Sequence, residues 1–250
     1  MARRCVRTSL RVNARAISKQ LRTLADAEIA CHSQGFFKTG KGEYGEGDRF
    51  LGIRVPELRR YIRQFRDVAL DEVLRLLASD YHEERLFALL LLVDQFKRGP
   101  DPQRRWIYQH YLANTHHINN WDLVDCSADK IVGVWLQQRS RKPLYRLARS
   151  TSLWERRIAI MATFHLIRQH DFEDALAICE LLLNDEEDLI HKAAGWMLRE
   201  IGKRDTAVEM AFLDVHYAVM PRTMLRYAIE RLPEADRRAY LIGKRASPDY

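Results

Sequence analysis

The sequence predicts an all-α protein, a solenoid of stacked antiparallel helix pairs. Three observations carry that prediction. Apolar residues recur at three- and four-residue steps through most of the chain, the spacing of one helix face. Alternation of the strand type, bounded by turns, does not occur. A short pattern also repeats: ERLFALL, RRIAIMA, HKAAGWM and LRYAIER put Ala88, Ala159, Ala194 and Ala228 in corresponding places, at intervals of 71, 35 and 34 residues. One helix pair has about that length, and the double interval leaves room for one more unit around Trp121. Stacked pairs bury their faces against one another and line a concave surface suited to an elongated ligand.

The elements follow in order. MARRCVRTSLRVNARAISKQLRTLADAE carries seven basic residues before its first acid, Asp26. An organellar transit peptide has that look. The apolar series Leu10, Ala14, Ile17, Leu21, Leu24 favours a basic first helix that continues into Ile29. A glycine-rich stretch, FFKTGKGEYGEGDRFLGIRVPE, then breaks the pattern. Its Gly40, Gly42 and Gly45 spell a GxGxxG, but a helix precedes it and more glycine follows, so a dinucleotide fold is rejected. A mobile loop insert over 36–50 is expected, with Tyr44 and Arg49 available for contact.

VPELRRYIRQF, YHEERLFALLLLVDQFKR, DPQRRWIYQHYL, SLWERRIAIMATFHLIRQ, DFEDALAICELLL, DLIHKAAGWMLREIG, DTAVEMAFLDVHYAV and PRTMLRYAIERL each read as a helix. Pro56, Pro102 and Pro221 sit where helices start. Connections are short, so one domain over 1–250 is expected, with 245–250 flexible.

Composition narrows the partner. The 41 Lys and Arg against 34 Asp and Glu give a formal charge of +7 and a pI near 9.3. That balance favours an anionic partner, nucleic acid first, although a basic protein with no such role has the same sums. Cys5, Cys31, Cys126 and Cys179 are scattered and read as buried thiols in a reducing compartment. The longest apolar run, Leu86 to Val93, is too short to span a bilayer, so no membrane association is expected. HExxH and GxSxG are absent, and the nine His residues fall at poor chelating steps, so neither a metal nor another cofactor is expected.

The stretch that stands out is NNWDLVDCSADK, residues 119–130. On one continuous helix Trp121 and Asp125 share a face, while Asp122 turns away to align with Cys126 and Asp129. Two readings stand: Trp121 is core and Asp125 caps a neighbouring helix or pairs with an Arg, or the two form a functional wall of indole and carboxylate. Arg156 and Arg157 start a later helix, and Trp196 sits on another beside Lys192 and Arg199. Stacked units would let Trp121, Arg157 and Trp196 meet on one concave face.

FLGIRVPELRR, NWDLVD, LWERRIAI and HKAAGWMLRE, in this order between about residues 50 and 205, resemble segments of the AlkD-type DNA glycosylases, alkylation-repair enzymes of HEAT-like repeats. The resemblance implies a concave DNA-binding face on which Trp121 and Asp125 meet the damaged nucleotide, Trp196 completes the aromatic site and Arg157 contacts the DNA backbone. Arg54, Lys192, Arg199, Tyr44 and the Arg139 to Arg149 stretch are further candidates for DNA contact. The implied reaction is hydrolysis of the N-glycosidic bond of cationic alkylpurines in duplex DNA, with the lesion left stacked. A single chain suffices to cradle a duplex, so a monomer in the cytoplasm, associated with the nucleoid, is expected. The chain departs from the family pattern at Asn120, where relatives carry a second Trp, and in its glycine-rich insert. A DNA-structure binder with little or no glycosylase activity is the alternative.

Overall fold

The structure, a computed structural model, describes residues 12–243. Expectations for the residues before Val12 and for 245–250 lie outside the described residues. Among the described residues regular structure is helical, with one isolated parallel bridge between Arg49 and Tyr81. No helix there is long and apolar enough to cross a membrane. The chain divides into two compact units, one up to Gln103 and one from Arg104.

The first unit begins with α1 (Ala14–Arg22) and α2 (Ala27–Phe36). The expected single helix running into Ile29 is therefore two. Asp26 makes the break: its carboxylate accepts from the backbone N–H groups of Glu28 and Ile29, both at 3.0 Å, and so caps α2. Its own N–H donates to Leu51 O at 2.9 Å. Gly52 has φ of +80°, and a Cβ there would stand 2.0 Å from Asp26 O, so no other residue fits.

The remaining helices of this unit are α3 (Val55–Phe65), α4 (Leu70–Leu77) and α5 (His82–Arg98). α3 and α4 both pack on α5, and α1 packs on α4. The glycine-rich loop expected to be mobile is tied down at its far end by the first turn of α5. Glu83, buried, accepts from three successive N–H groups: Leu51 at 2.8 Å, Gly52 at 2.8 Å and Ile53 at 3.2 Å. Asp48 bonds His82 Nδ1 at 2.9 Å and Arg85 at 2.6 Å. Burial would raise the Asp48 carboxyl, but His82 and Arg85 outweigh it and hold the group below its ordinary range. Bonds to charged groups contribute about 1.5–3 kcal/mol each, which explains how a glycine-rich chain is kept in one conformation.

The division between units falls within α6 (Asp101–Ala113). The second unit continues with α7 (Trp121–Asp125), a π-helical turn (Asp129–Gly133), α8 (Val134–Leu136), α9 (Lys142–Ala148) and α10 (Leu153–Ile167). It ends with α11 (Glu173–Leu181), α12 (Asp188–Gly202), α13 (Thr206–His216), α14 (Arg222–Ala228) and α15 (Glu234–Ile242). α10, α12 and α14 pack in series, with α9 and α11 beside α10 and with α11 and α13 beside α12. Ala159, Ala194 and Ala228 lie buried on those three serial helices, so the spacing read from sequence is the spacing of real packing units.

Two glycines let this series close up. A Cβ on Gly133 would meet Ala162 O at 2.3 Å, and one on Gly195 would meet Met224 O at 2.4 Å. The offset is the same in both cases, 29 residues: Gly133 lets the π-helical turn close on α10, and Gly195 lets α12 close on α14.

Candidate active site

The segment 119–130 does not form the single expected helix. α7 lasts five residues, and the chain then tightens at Ser127 before the π-helical turn. Ser127 is the physical cause. Its hydroxyl donates to Leu123 O at 2.6 Å, taking a carbonyl that the helix ladder would otherwise use. Since that hydroxyl has one proton, the buried Tyr111 hydroxyl donates in turn to Ser127 Oγ at 2.9 Å. Asp122 and Cys126 stay aligned, with Cys126 N donating to Asp122 O at 3.1 Å, whereas Asp129 lies beyond the break, in the π-helical turn. Asp129 is buried and pairs with Lys130 at 2.8 Å and with Arg168. Burial, followed by the nearby Asp122 carboxylate, raises the Cys126 thiol well above its ordinary range, so it is held as the neutral thiol.

The start of α7 is fixed by Asn120, whose side chain is buried and accepts from Trp121 N at 2.8 Å. Its Nδ2 is buried with no hydrogen-bond partner. Asn before an apolar run is a helix-start signal, so this positioning role was readable from the sequence, where Asn120 registers only as a departure from a family pattern.

Asp125 and Arg157 meet directly. Arg157 Nε lies 2.9 Å from Asp125 Oδ1 and its NH2 group 2.8 Å from Oδ2, a two-pronged pair between α7 and α10. The third arm, NH1, donates to Leu189 O at 2.5 Å, at the first turn of α12. One guanidinium thus ties three elements together. The Arg157 side chain is only 6% exposed, against 17% for Asp125. Burial raises the Asp125 carboxyl, and the Arg157 charge opposes that rise. A guanidinium cannot give up its proton here, and two parallel N–H donors facing two oxygens is the geometry of an ionised carboxylate. The pair takes one lone pair from each oxygen and leaves the others unused by Arg157.

The other candidates are placed as follows. Trp121 is half-buried and shares the single turn of α7 with Asp125. Trp196 is half-buried on α12, its ring 5.9 Å from that of Phe164 and its Nε1 donating to Glu200 at 3.2 Å. It lies two turns beyond Leu189, roughly 10 Å along the helix axis. Lys192 pairs with Asp188 at 2.6 Å, and Arg199, 16% exposed, pairs with Glu230. In the Arg139 to Arg149 stretch, Arg139 stacks on Trp135 at 3.7 Å, and Arg141 is held by Asp171 at 2.6 Å and Asp174 at 2.5 Å. Arg54, exposed, precedes α3 in the first unit, and Tyr44 sits half-buried there with the Lys38 ammonium 6.0 Å from its ring. The Leu189 carbonyl, which no side-chain pattern could reveal, completes the hold on Arg157.

The comparisons now have a site to bear on. A family model described as DNA alkylation repair enzyme matches residues 17–232. A solved structure, "Predicted DNA alkylation repair enzyme from Enterococcus faecalis", is 17% identical and superposes with a TM-score of 0.65 over 84% of this chain and 97% of that one. That likeness concerns the fold. No curated protein matches the sequence.

Proposed function

Because the chain belongs to the DNA alkylation repair enzyme family, we propose that it is a monofunctional DNA glycosylase acting on positively charged alkylpurines in duplex DNA, of the 3-methyladenine and 7-methylguanine type. The observation that carries this reading is the Asp125 carboxylate, gripped by two donors of Arg157 and still 17% exposed.

The chemistry follows from the substrate's charge. Alkylation at N3 or N7 makes the purine cationic, so the C1′–N bond can break with its electron pair going to the base nitrogen, and no strong acid is required. The difficulty is the sugar, which becomes cationic as the bond opens. A fixed carboxylate nearby opposes that charge without having to reorganise, and its unused lone pairs can orient the water that adds to C1′. The water's proton leaves to solvent or to the carboxylate. The indole face of Trp121 on the same helical turn favours a cation beside it, and Trp196 extends the aromatic surface along α12. Because every acting group addresses the sugar, the base can remain in the stack, unlike in enzymes that read a flipped base. One chain acts alone, on chromosomal DNA in the cytoplasm.

The test is release of 7-methylguanine and 3-methyladenine from methylated duplex DNA under single-turnover conditions. The native protein should release both, and Asp125→Asn should bind DNA with similar affinity while losing release by 100-fold or more. A native protein that binds DNA and releases nothing would instead be a DNA-structure binder.

A further inference from the structure

A basic feature built on α1 lies in the first unit. Arg15, Lys19 and Arg22 are all exposed on α1 at steps of four and three, which is one helix face, and α1 contains no acidic residue. The row ends on an aromatic platform. The Arg22 guanidinium lies 4.7 Å from the centre of the Tyr81 ring, and the Arg49 guanidinium lies 4.8 Å from the same centre.

The platform is built rather than incidental. The backbone at Arg49 and Tyr81 is locked by the parallel bridge and by His82 N donating to Arg49 O at 2.8 Å. Arg49 NH2 also donates to the Tyr81 hydroxyl at 3.1 Å. Arg22 is tethered through Nε to Glu84 at 3.2 Å, yet 52% of its side chain stays open. Glu84 is itself buried and bonded to the Ser18 and Ser79 hydroxyls, each at 2.6 Å. Both guanidinium groups are thus oriented in advance with further N–H donors available. Two cations held on one ring repel each other, and the arrangement is favourable when an anion spans them.

We propose that Arg15, Lys19, Arg22 and Arg49, with Tyr81 as platform, form a strip that binds the sugar-phosphate backbone of DNA. A DNA strand carries one phosphate about every 3.4 Å of axis, so a row of cations about 10 Å long on α1 runs past about three phosphates of one strand, and the paired clamp at its end can take another. The inference rests on the proposed partner, duplex DNA, but not on glycosylase chemistry. The strip contains no base-reading geometry, and it contributes affinity that is independent of sequence and of damage.

The experiment is fluorescence anisotropy of an unmodified duplex titrated with the full chain at several salt concentrations. Each lost phosphate contact lowers the slope of log affinity against log salt by about 0.9. Arg22→Gln/Arg49→Gln should lose about 2 from that slope, and adding Arg15→Gln and Lys19→Gln about 2 more. Arg49→Gln alone, which strands no carboxylate, should lose about 1 and guards against a folding artefact; thermal melting checks each variant. A folded double variant with the native slope overturns the strip, even where base release persists. Native protein that releases no base while its variants lose slope leaves the strip standing and removes the glycosylase reading. Native protein without salt-dependent DNA binding overturns both.

Discussion

Arg157 holds Asp125 through two parallel bonds, 2.9 and 2.8 Å long, across 32 residues of sequence, and uses its third arm on the Leu189 carbonyl. In the proposed reaction that geometry gives Arg157 a positioning role. A phosphate contact would need the guanidinium facing solvent, and here it faces a carboxylate and a backbone oxygen. The two roles predict opposite outcomes for Arg157→Lys. An ammonium keeps the charge but cannot supply the fork and the third bond together. Release should fall on the order of 100-fold, the effect of a misplaced catalytic group, with the salt slope of DNA binding unchanged. Arg157→Ala should destabilise the fold by about 3–5 kcal/mol, since it leaves a buried carboxylate unpaired. Retained release in the Lys variant would sink the positioning role.

The same pair sets a pH dependence. In the proposed reaction Asp125 acts as the carboxylate, and burial raises its pKa above the ordinary 3.8 while Arg157 pulls it back. Release should therefore fall as pH drops through a value above that ordinary one. In Arg157→Lys the opposing pull is less well placed, so the acid limb should move further up. A pH–rate profile that is flat down to the ordinary carboxylate range would mean that Asp125 is not the group acting.

Asn120 anchors the turn that carries both Trp121 and Asp125. Removing the acceptor for Trp121 N with Asn120→Ala should cost about 1 kcal/mol, typical of a lost helix cap. It should also lower the release rate more than DNA affinity. Asn120→Ser keeps a capping oxygen and should recover most of the stability. Thermal melting and single-turnover release measured on both variants separate the capping role from a packing one.

How much of this was legible beforehand depended on the physics involved. The serial helices were readable, because burial imposes a period and Ala159, Ala194 and Ala228 report it. The break at Asp26 was equally available, as an Asp two and three residues before the N–H groups it caps, yet the apolar series across it looked continuous. The short α7 was not readable from periodicity, since it ends through a Ser127 hydroxyl that competes for a carbonyl. The candidate site follows the same rule. Trp121 and Asp125 stood out through local spacing, whereas the Arg157 pair depends on which helix faces which, information that no local pattern carries. The tethering of the glycine-rich loop was hidden for that reason too, because its anchor, Glu83, reads as an ordinary first-turn acid of α5.

Glycine positions give a contrast in sign. At Gly195 a Cβ would meet Met224 O at 2.4 Å and Tyr227 Cβ at 2.6 Å, both across the α12–α14 contact. Gly195→Ala must push the two helices apart, at a cost of about 1–3 kcal/mol. At Gly35, exposed on α2, a Cβ meets nothing within 4 Å. Gly35→Ala should stabilise by about 0.5–1 kcal/mol through helix propensity and reduced unfolded-state freedom. Urea denaturation of the two variants should therefore shift the midpoint in opposite directions.

Glu209, on α13, should make the protein's stability fall as pH rises from mild acid to about 8. Its carboxyl is buried against Gly202, where a Cβ would lie 1.7 Å from Oε2, and its Oε1 has no hydrogen-bond partner. Burial pushes its pKa up to about 8, with only the Arg199 charge opposing. Since the folded value exceeds the unfolded one, near 4.5, the neutral acid favours the fold. That contribution is fully present below the unfolded value and is lost as pH rises through about 8. At about 1.4 kcal/mol per unit, ionising Glu209 costs a few kcal/mol, which for a chain of this size lowers Tm by roughly 2–4 °C for each kcal/mol. Glu209→Gln mimics the neutral acid and removes the titration. Its melting temperature should match the native protein's near pH 4 and exceed it by a growing margin as pH rises through about 8, and two parallel melting curves across that range would show that Glu209 is not the group responsible.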